Sequence, residues 1–313
     1  MSSIFAPVST PAASIHELSL LVIGICAAIF TVVGGLLAYT IVRFRRRDAD
    51  PHEPPQVYGS YPIELAWTVV PLMIVFVLIL ATTRTIGQLQ KTTAPPHALQ
   101  VTVVGHQWWW EFRYPSLGIT TANELHVPVS TSTNPRPTFL TLESDDVVHS
   151  FWVPRLAGKT DVIPNWVNHM WIEPWETGTY LGQCAEFCGV QHAHMLIRVV
   201  VQSAADFDRW AAAQEQPAAV DPRVEAGRRL FLSTACVNCH TIDGTPAQGT
   251  FGPDLTHLMS RHTLGAGTVT NTAANLYQWV RDPQQIKPGC RMPAMQLSDD
   301  EVNEIVAYLL TLK

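Results

Sequence analysis

Charged side chains are scarce in this chain of 313 residues, of which 15% are charged and 47% are hydrophobic. The shortage is concentrated in two runs, Leu18 to Val42 and Leu65 to Thr83, neither of which contains a charged residue. A bilayer core is crossed by about 20 apolar residues, and uncharged runs of this length are uncommon in soluble domains. The sequence therefore predicts two transmembrane helices, at about residues 16–43 and 62–86, in contact with membrane lipid.

Basic residues are missing from the segment Met1 to Ser14, which contains no Lys or Arg. A secretory signal peptide begins with a basic segment, so a cleaved signal peptide is not predicted. The connection between the two apolar runs, by contrast, contains Arg43, Arg45, Arg46 and Arg47. Because basic connections stay in the cytoplasm, we expect both termini on the periplasmic or extracytoplasmic side of a bacterial cell membrane.

The chain also lacks a basic stripe, an internal repeat and a low-complexity segment, and its formal net charge is −6. Surfaces that bind nucleic acid are built from clustered Lys and Arg, so no nucleic acid is expected as a partner. The length allows two or three domains.

Beyond residue 95 the pattern changes to short β-branched or alternating runs separated by Pro, Gly, Asn and Asp, which is typical of an all-β sandwich. These runs are Leu99 to Val104, Phe139 to Leu142, Val147 to Phe151 and Met195 to Val201. A polar piece then predicts a short helix and a linker, followed by a helical pattern whose last helix has a capping box of Ser298 and Glu301. The predicted parts are a transmembrane hairpin with its N-terminal segment (1–95), a sandwich (96–202), a linker (203–222) and an all-α domain (223–313).

The chain has only six cysteines, and four of them form two clusters of different chemistry. Cys236, Cys239 and His240 make up the Cys-x-x-Cys-His signature of covalent haem attachment. In that signature two thiols add to the haem vinyl groups and the histidine binds the iron. A disulfide or a redox-active dithiol is the alternative for the motif alone. We predict a covalently bound haem c.

The other cluster combines thiol, imidazole and thioether groups, in Cys184, Cys188, His192 and Met195, with His149 in a preceding strand region. Three interpretations compete. Two nearby cysteines in an oxidising compartment can form a disulfide, and two cysteines with two histidines can hold a structural zinc ion. The thioether favours copper, because soft sulfur ligands are characteristic of copper electron-transfer sites.

The cluster of Cys184, Cys188, His192 and Met195 resembles the binuclear CuA site of the cytochrome c oxidase subunit II family. The resemblance is carried by the run Cys184 to Met195, with His149 to Pro154 and Lys159 to Pro164 upstream. It implies a cupredoxin-like sandwich in which two thiolates bridge two copper ions. The ligands that it implies are Cys184 and Cys188 as bridges, His149 and His192 as imidazoles, Met195 as the thioether, and the backbone carbonyl of Glu186.

The resemblance implies roles for three further side chains. Trp108 lies at the position where electrons reach the copper, in the aromatic run that begins at Gly105, although packing is the commoner role of an aromatic run. The carboxylate of Glu186 is expected to bind a magnesium ion shared with the partner subunit I. Glu64, near the start of the second helix, matches a glutamate at the mouth of a proton path, although an acidic group at a helix end can also be an interfacial anchor.

The C-terminal region is similar to class I cytochrome c. The similarity is carried by Gly252 to Thr256 and by Lys287 to Gly289 leading into Met292. It implies Met292 as the sixth iron ligand, a ligand type that raises the potential and suits electron transfer. Met295 and Met259 are expected to pack in the core, as methionines commonly do.

Together these resemblances cover nearly the whole chain and imply subunit II of a caa(3)-type haem–copper oxidase. The expected partners are subunit I, subunit III and an external donor, either a cytochrome c or a quinol-oxidising complex. The chain would be the electron-transfer subunit of an enzyme that reduces oxygen and translocates protons, without carrying the oxygen-reducing site. The alternatives are the small subunit of a CuA-containing nitric oxide reductase and a membrane protein that binds or delivers copper.

Overall fold

The computed structural model describes residues 3–45 and 55–313. Arg46 and Arg47, part of the basic connection predicted to be cytoplasmic, lie outside the described residues. The chain forms two compact units. One consists of residues 14–89, and the other combines residues 1–13 with residues 90–313.

The first unit is built from two long helices, α1 (Thr10–Arg43) and α2 (Tyr61–Leu89). Both are apolar enough and long enough to cross a membrane, and the apolar stretch of each is exposed within the structure. Helix α1 begins before the predicted 16–43, and α2 exceeds the predicted 62–86 at both ends. The 34 residues of α1 span roughly 50 Å, so the helix is longer than a hydrocarbon core of about 30 Å is thick. Each also has a proline as its second residue, a position near the helix start that proline suits.

The second unit contains a β-sandwich, here called the sandwich domain (residues 99–202). Its strands form two five-stranded sheets, with the orders β3-β2-β1-β5-β8 and β4-β10-β9-β6-β7. The strands of the first sheet are β1 (Leu99–His106), β2 (Trp109–Tyr114), β3 (Ile119–Ala122), β5 (Thr138–Ser144) and β8 (Asn168–Ile172). Those of the second are β4 (Glu124–Pro128), β6 (His149–Trp152), β7 (Thr160–Val162), β9 (Gly178–Cys184) and β10 (Leu196–Gln202).

Two of the strand pairs are parallel, β1 with β5 and β4 with β10, and the other pairs within the two sheets are antiparallel. Large apolar side chains from both sheets fill the space between them and are fully buried, among them Trp110, Phe112, Leu140 and Phe151. Burying each such side chain stabilises the fold by about 1.5–3 kcal/mol. The predicted sandwich is thus confirmed, with the metal-ligand candidates on one of its sheets.

The N-terminal segment completes the sandwich domain, although it precedes α1. Val8 donates its N–H to the Arg155 carbonyl and accepts from the Trp175 N–H, both at 3.0 Å. Ser9 pairs with Pro174 in an isolated bridge and is fully buried. The segment before the first helix therefore packs on a domain that follows the second helix.

Helix α3 (Ala204–Gln214) follows β10 and packs against β4 and β10. The remaining elements form the C-terminal domain (residues 225–313). They are α4 (Glu225–Ser233), a short hairpin of β11 (Thr263–Leu264) and β12 (Val269–Thr270), α5 (Ala273–Arg281), α6 (Pro283–Ile286) and α7 (Asp299–Leu309).

The C-terminal domain has its own core, in which α4 and α5 pack against α7. Helix α4 approaches α7 at Gly227, where a Cβ atom would overlap the carbonyl oxygen of Glu304. Helix α7 begins with the predicted capping box of Ser298 and Glu301. The all-α prediction for this region is confirmed apart from the two-residue strands β11 and β12.

Candidate functional site

Two thiols, an imidazole and a thioether converge in the loop between β9 and β10. Cys184 ends β9, and Met195 directly precedes β10, so the pairing of these strands brings the ends of the loop together. The Cys188 Sγ lies 3.8 Å from the Cys184 Sγ, 3.7 Å from the His192 Nδ1 and 3.9 Å from the Met195 Sδ. The predicted ligands of this loop are therefore within reach of a common site.

His149 reaches the same site from the neighbouring strand β6. The donor atoms of His149, Cys184 and Cys188 lie within 4.8 Å of one another, and all three residues are buried. Asp146 lies 2.8 Å from the His149 Nε2, while the His149 Nδ1 is buried without a hydrogen-bond partner in the described chain. Gly105 makes room for this ring, since a Cβ there would lie 2.8 Å from its Cδ2.

This donor set fits a copper pair. The two sulfur atoms are too far apart for a disulfide bond, whose length is about 2.05 Å. The hydrogen bond from Cys188 lowers the pKa of the Cys184 thiol. Once Cys184 is a thiolate, the same hydrogen bond holds the proton on Cys188, so the pKa of Cys188 is raised. A partnerless buried imidazole nitrogen, two thiols and a thioether are the soft, mixed ligand set that copper prefers.

Glu186 lies in the ligand loop, and its two functional groups have different surroundings. Its backbone carbonyl oxygen is 3.2 Å from the Cys184 Sγ, beside the cluster. Its carboxylate is about half exposed and lies 3.6 Å from the Lys159 ammonium group. The geometry leaves the carbonyl available to the copper site and the carboxylate directed to other partners.

Trp108 connects this cluster with a second site. Its indole N–H donates to the Cys188 carbonyl at 3.0 Å, and the Gln107 side-chain amide donates to the same oxygen at 2.7 Å. Both residues also line a cavity of about 270 Å³ at the C-terminal domain. The neighbouring tryptophans pack differently. Trp110 is fully buried in the sandwich core, and Trp109 stacks on His106 at 4.3 Å and also lines the cavity.

The cavity has the features of a haem site. It is lined mainly by apolar side chains and by Cys236, Cys239 and His240. The Pro253 carbonyl oxygen lies 2.7 Å from the His240 Nδ1, and the ring packs against Gly252, where a Cβ would lie 2.6 Å from its Cε1. A carbonyl that fixes one nitrogen leaves Nε2 for the metal, as in metal-binding histidines generally. The residues present therefore fit a covalently bound haem.

Two methionines, Met292 and Met295, line this cavity, as does Cys290. The prediction that Met295 packs in the core is not met, because its side chain lines the cavity and is not part of the helical core. Met259 packs at the edge of the helical core, as predicted. The assignment of Met292 as sixth ligand stays a prediction.

Glu64 lies in the first turn of α2, and its Oε1 accepts a hydrogen bond of 3.1 Å from the Ser60 N–H. A carboxylate there is stabilised by the positive end of the helix dipole. This contact tests neither role considered for Glu64, and both the proton path and the interfacial anchor stay predictions.

Several residues that position the ligands were not found from the sequence. Asp146 precedes His149 by three residues, and Gln107 is the neighbour of Trp108. Their closeness in sequence to predicted site residues could have identified both. The cytochrome c resemblance included Pro253, but the role of its carbonyl was not predicted, because a backbone group carries no side-chain signature.

Comparisons with known proteins agree with this arrangement. Three family models match the chain: the transmembrane domain of cytochrome c oxidase subunit II over residues 2–83, its periplasmic domain over residues 119–204, and cytochrome c over residues 224–313. The subunit II family implies CuA copper and the cytochrome c family implies haem c. The match over both helices also indicates that α1 and α2 anchor the chain in a membrane.

Individual relatives cover most of the chain. A cytochrome c oxidase subunit 2 from Alkalihalophilus pseudofirmus is 34% identical over 96% of this chain and 87% of its own length. The corresponding protein from Bacillus sp. strain PS3 is 32% identical over 86% and 80%. A crystal structure of the periplasmic domain of subunit II of cytochrome oxidase from Bradyrhizobium japonicum is 28% identical, with a TM-score of 0.36, over 39% of this chain and 97% of that one. The chain belongs to the cytochrome c oxidase subunit II family and carries a cytochrome c domain at its C-terminal end.

Proposed function

We propose that the C-terminal domain is the electron donor of the sandwich domain within this oxidase subunit, and that Trp108 connects them. The observation that carries the proposal is the double contact of Trp108. Its indole N–H donates to the carbonyl of the candidate ligand Cys188, and the same residue lines the cavity that contains Cys236, Cys239 and His240.

When bound, the haem and the copper pair would supply the one-electron chemistry that the oxygen-reducing subunit needs. This chain holds the metals and keeps their ligands fixed. The predicted copper ligands are His149, Cys184, Cys188, His192, Met195 and the carbonyl of Glu186, and the predicted haem ligands are Cys236, Cys239, His240 and Met292.

Rigid positioning of the ligands is supported by their partners. Asp146 fixes the ring of His149 from one side, and the Pro253 carbonyl fixes that of His240. Such partners orient a ligand and raise its basicity. Cys184, Cys188 and Met195 are each at most 3% exposed, which keeps water from the sulfur ligands.

The finer assignments belong to the same proposal. The complex is of the caa(3) type, translocates protons and contains subunits I and III, and its external donor is a cytochrome c or a quinol-oxidising complex. Both metal-binding domains lie on the periplasmic side of a bacterial inner membrane, which the basic residues Arg43 and Arg45 support. The carboxylate of Glu186 binds magnesium with subunit I, and Glu64 opens a proton path.

The test is spectroscopic and uses the purified complex. Optical spectra are expected to show a c-type haem, and paramagnetic resonance a mixed-valence copper pair, in one-to-one ratio on this subunit. Oxygen consumption distinguishes the oxidase from a nitric oxide reductase. A complex that consumes nitric oxide but not oxygen, or a subunit that lacks either metal centre, would contradict the proposal.

A further inference from the structure

Two buried charged side chains form hydrogen bonds between the sandwich domain and the C-terminal domain, one contributed by each domain. Lys287 of the C-terminal domain is 2% exposed, and Glu124 of the sandwich domain is 0% exposed. An uncompensated buried charge is strongly destabilising. The contacts of these two groups must therefore compensate for their removal from water.

The Lys287 ammonium group is surrounded by three backbone carbonyls. Its Nζ lies 2.8 Å from the Trp108 oxygen, 2.8 Å from the His194 oxygen and 3.0 Å from the Gly265 oxygen. An ammonium group has three N–H donors and no acceptor, so each donor has one carbonyl. Two of these carbonyls belong to the sandwich domain, one beside the indole of Trp108 and one inside the ligand loop.

Glu124 belongs to the sandwich domain, and its partners lie in the C-terminal domain. Its carboxylate accepts from the His262 N–H at 2.9 Å, the Thr263 N–H at 3.0 Å and the Thr263 hydroxyl at 3.0 Å, all in the C-terminal domain. Its Oε2 also lies 2.9 Å from the His262 Nδ1. Burial alone would raise the pKa of Glu124, but these hydrogen bonds lower it. The carboxylate is therefore held in its charged form.

The surface between these two contacts is closely packed. The Leu196 N–H donates to the Ala266 carbonyl at 3.0 Å, and Trp109 packs against Ala266. At Gly267 a Cβ atom would lie 2.9 Å from the Cβ of Leu196, so the two backbones approach as closely as a glycine permits. This packing holds the cavity wall that contains Trp108 against the C-terminal domain.

We propose that Lys287 and Glu124 are reciprocal positioning residues, which keep the C-terminal domain docked on the sandwich domain with its haem cavity against Trp108. Neither residue is among the proposed metal ligands, although Lys287 also lines the haem cavity and Glu124 does not. Their role rests on the proposed function, because docking matters for electron transfer only if both metal centres are present. Each replaces water with hydrogen-bond partners, two of the three for Lys287 and all of those for Glu124 coming from the opposite domain, so removing either is expected to release the same surface.

The proposal is tested by amide hydrogen exchange on the assembled complex, with the variants Lys287→Met and Glu124→Gln. The reporter is the Leu196 amide, which bonds across the boundary to the Ala266 carbonyl and not to either substituted side chain. Each variant is expected to speed its exchange at least about tenfold, because a hydrogen-bonded charge is lost from the boundary. Reduction of copper after flash photoreduction of the haem is expected to slow by at least a similar factor.

Several controls separate docking from other effects. Lys313→Met removes an exposed lysine of the same domain and is expected to change neither measurement. The amides of Val103 and Val199, inside the two sheets, should exchange as in the unsubstituted chain. Glu124 lies outside the Lys287–Met292 segment, so its variant separates docking from disturbance of the haem ligand.

Unchanged Leu196 exchange in either variant would overturn the reciprocal pair, and so would faster exchange of the core amides. A subunit without copper or haem would contradict the proposed function instead. The Leu196 exchange rate would still show whether Lys287 and Glu124 hold the two domains together.

Discussion

At the scale of single residues, Trp108 has the most specific surroundings, since its ring lines the haem cavity and its N–H reaches the Cys188 carbonyl. Trp108→Ala is expected to slow copper reduction by at least about tenfold while leaving the copper spectrum unchanged, because the indole connects the sites and binds no metal. Rapid-mixing and flash measurements on the complex would check this. Equal reduction rates in the variant and the unsubstituted complex would reduce Trp108 to a packing role.

The haem ligands allow a second residue-level prediction. Met292→Ala is expected to keep haem covalently attached, since attachment depends on Cys236 and Cys239. It should open the sixth position, lower the potential and make the iron reactive to carbon monoxide. The measurement is a carbon monoxide difference spectrum. If the variant keeps a methionine-ligated spectrum, Met295, which lines the same cavity, is the ligand.

Glu186 is expected to serve two metals through different groups. Glu186→Gln keeps the backbone carbonyl beside Cys184, so the copper spectrum should be unchanged, while loss of the carboxylate charge should weaken the binding of manganese substituted for magnesium. Manganese resonance on the complex reports this site. Loss of copper would make the side chain a copper ligand, and normal manganese binding would exclude the carboxylate from any metal site.

At the scale of elements, helix α3 packs against the sandwich with two aromatic side chains, the buried Phe207 and the partly buried Trp210. Trp210 stacks on His126 of β4 with ring centroids 4.2 Å apart and contacts the ring of Tyr114. Burial lowers the pKa of His126 to about 4, with the Gln202 hydrogen bond and Glu124 acting in the opposite direction, and with His262 and Arg261 adding to the lowering.

This pKa makes the stability of the sandwich domain dependent on pH. The unfolded chain takes up the His126 proton near pH 6.5 and the folded chain only near pH 4. The unfolded state therefore binds more protons between these values, and stability falls as the pH is lowered from 6.5 to 4, by about 3 kcal/mol in total. His126→Phe, which keeps an aromatic ring on Trp210, should flatten this slope in denaturation of the full chain in detergent. An identical slope in both proteins would contradict the assignment.

The elements also show which features the sequence can predict. Local patterns were sufficient for the two apolar helices, the capping box at Ser298 and the cluster between Cys184 and Met195, because each is encoded within a few turns or one loop. Lys287 and Trp108 are 179 residues apart, and Glu124 and His262 are 138 apart. Periodicity and short motifs carry no information on such pairs, so the docking of the two domains was not predicted.

At the scale of the whole molecule, the C-terminal domain packs against Trp108 with its haem cavity. An external donor is therefore expected to reduce the haem first. Linking two partners makes their reaction intramolecular, with an effective concentration set by the linker. Copper reduction by an external cytochrome c should therefore level off at a rate that no longer depends on donor concentration. Stopped-flow measurements check this prediction. A copper reduction rate that rises in proportion to donor concentration, without earlier reduction of haem, would contradict it.

The packing of Val8 and Ser9 on the sandwich domain has a consequence for biogenesis. These residues precede both membrane helices in the chain, and they bond to Arg155, Pro174 and Trp175, which are synthesised after both helices. Both ends of the helical unit thus return to one folded body, which requires an even number of membrane crossings. The sandwich domain is therefore completed only when the segments before and after the two helices lie on the same side of the membrane.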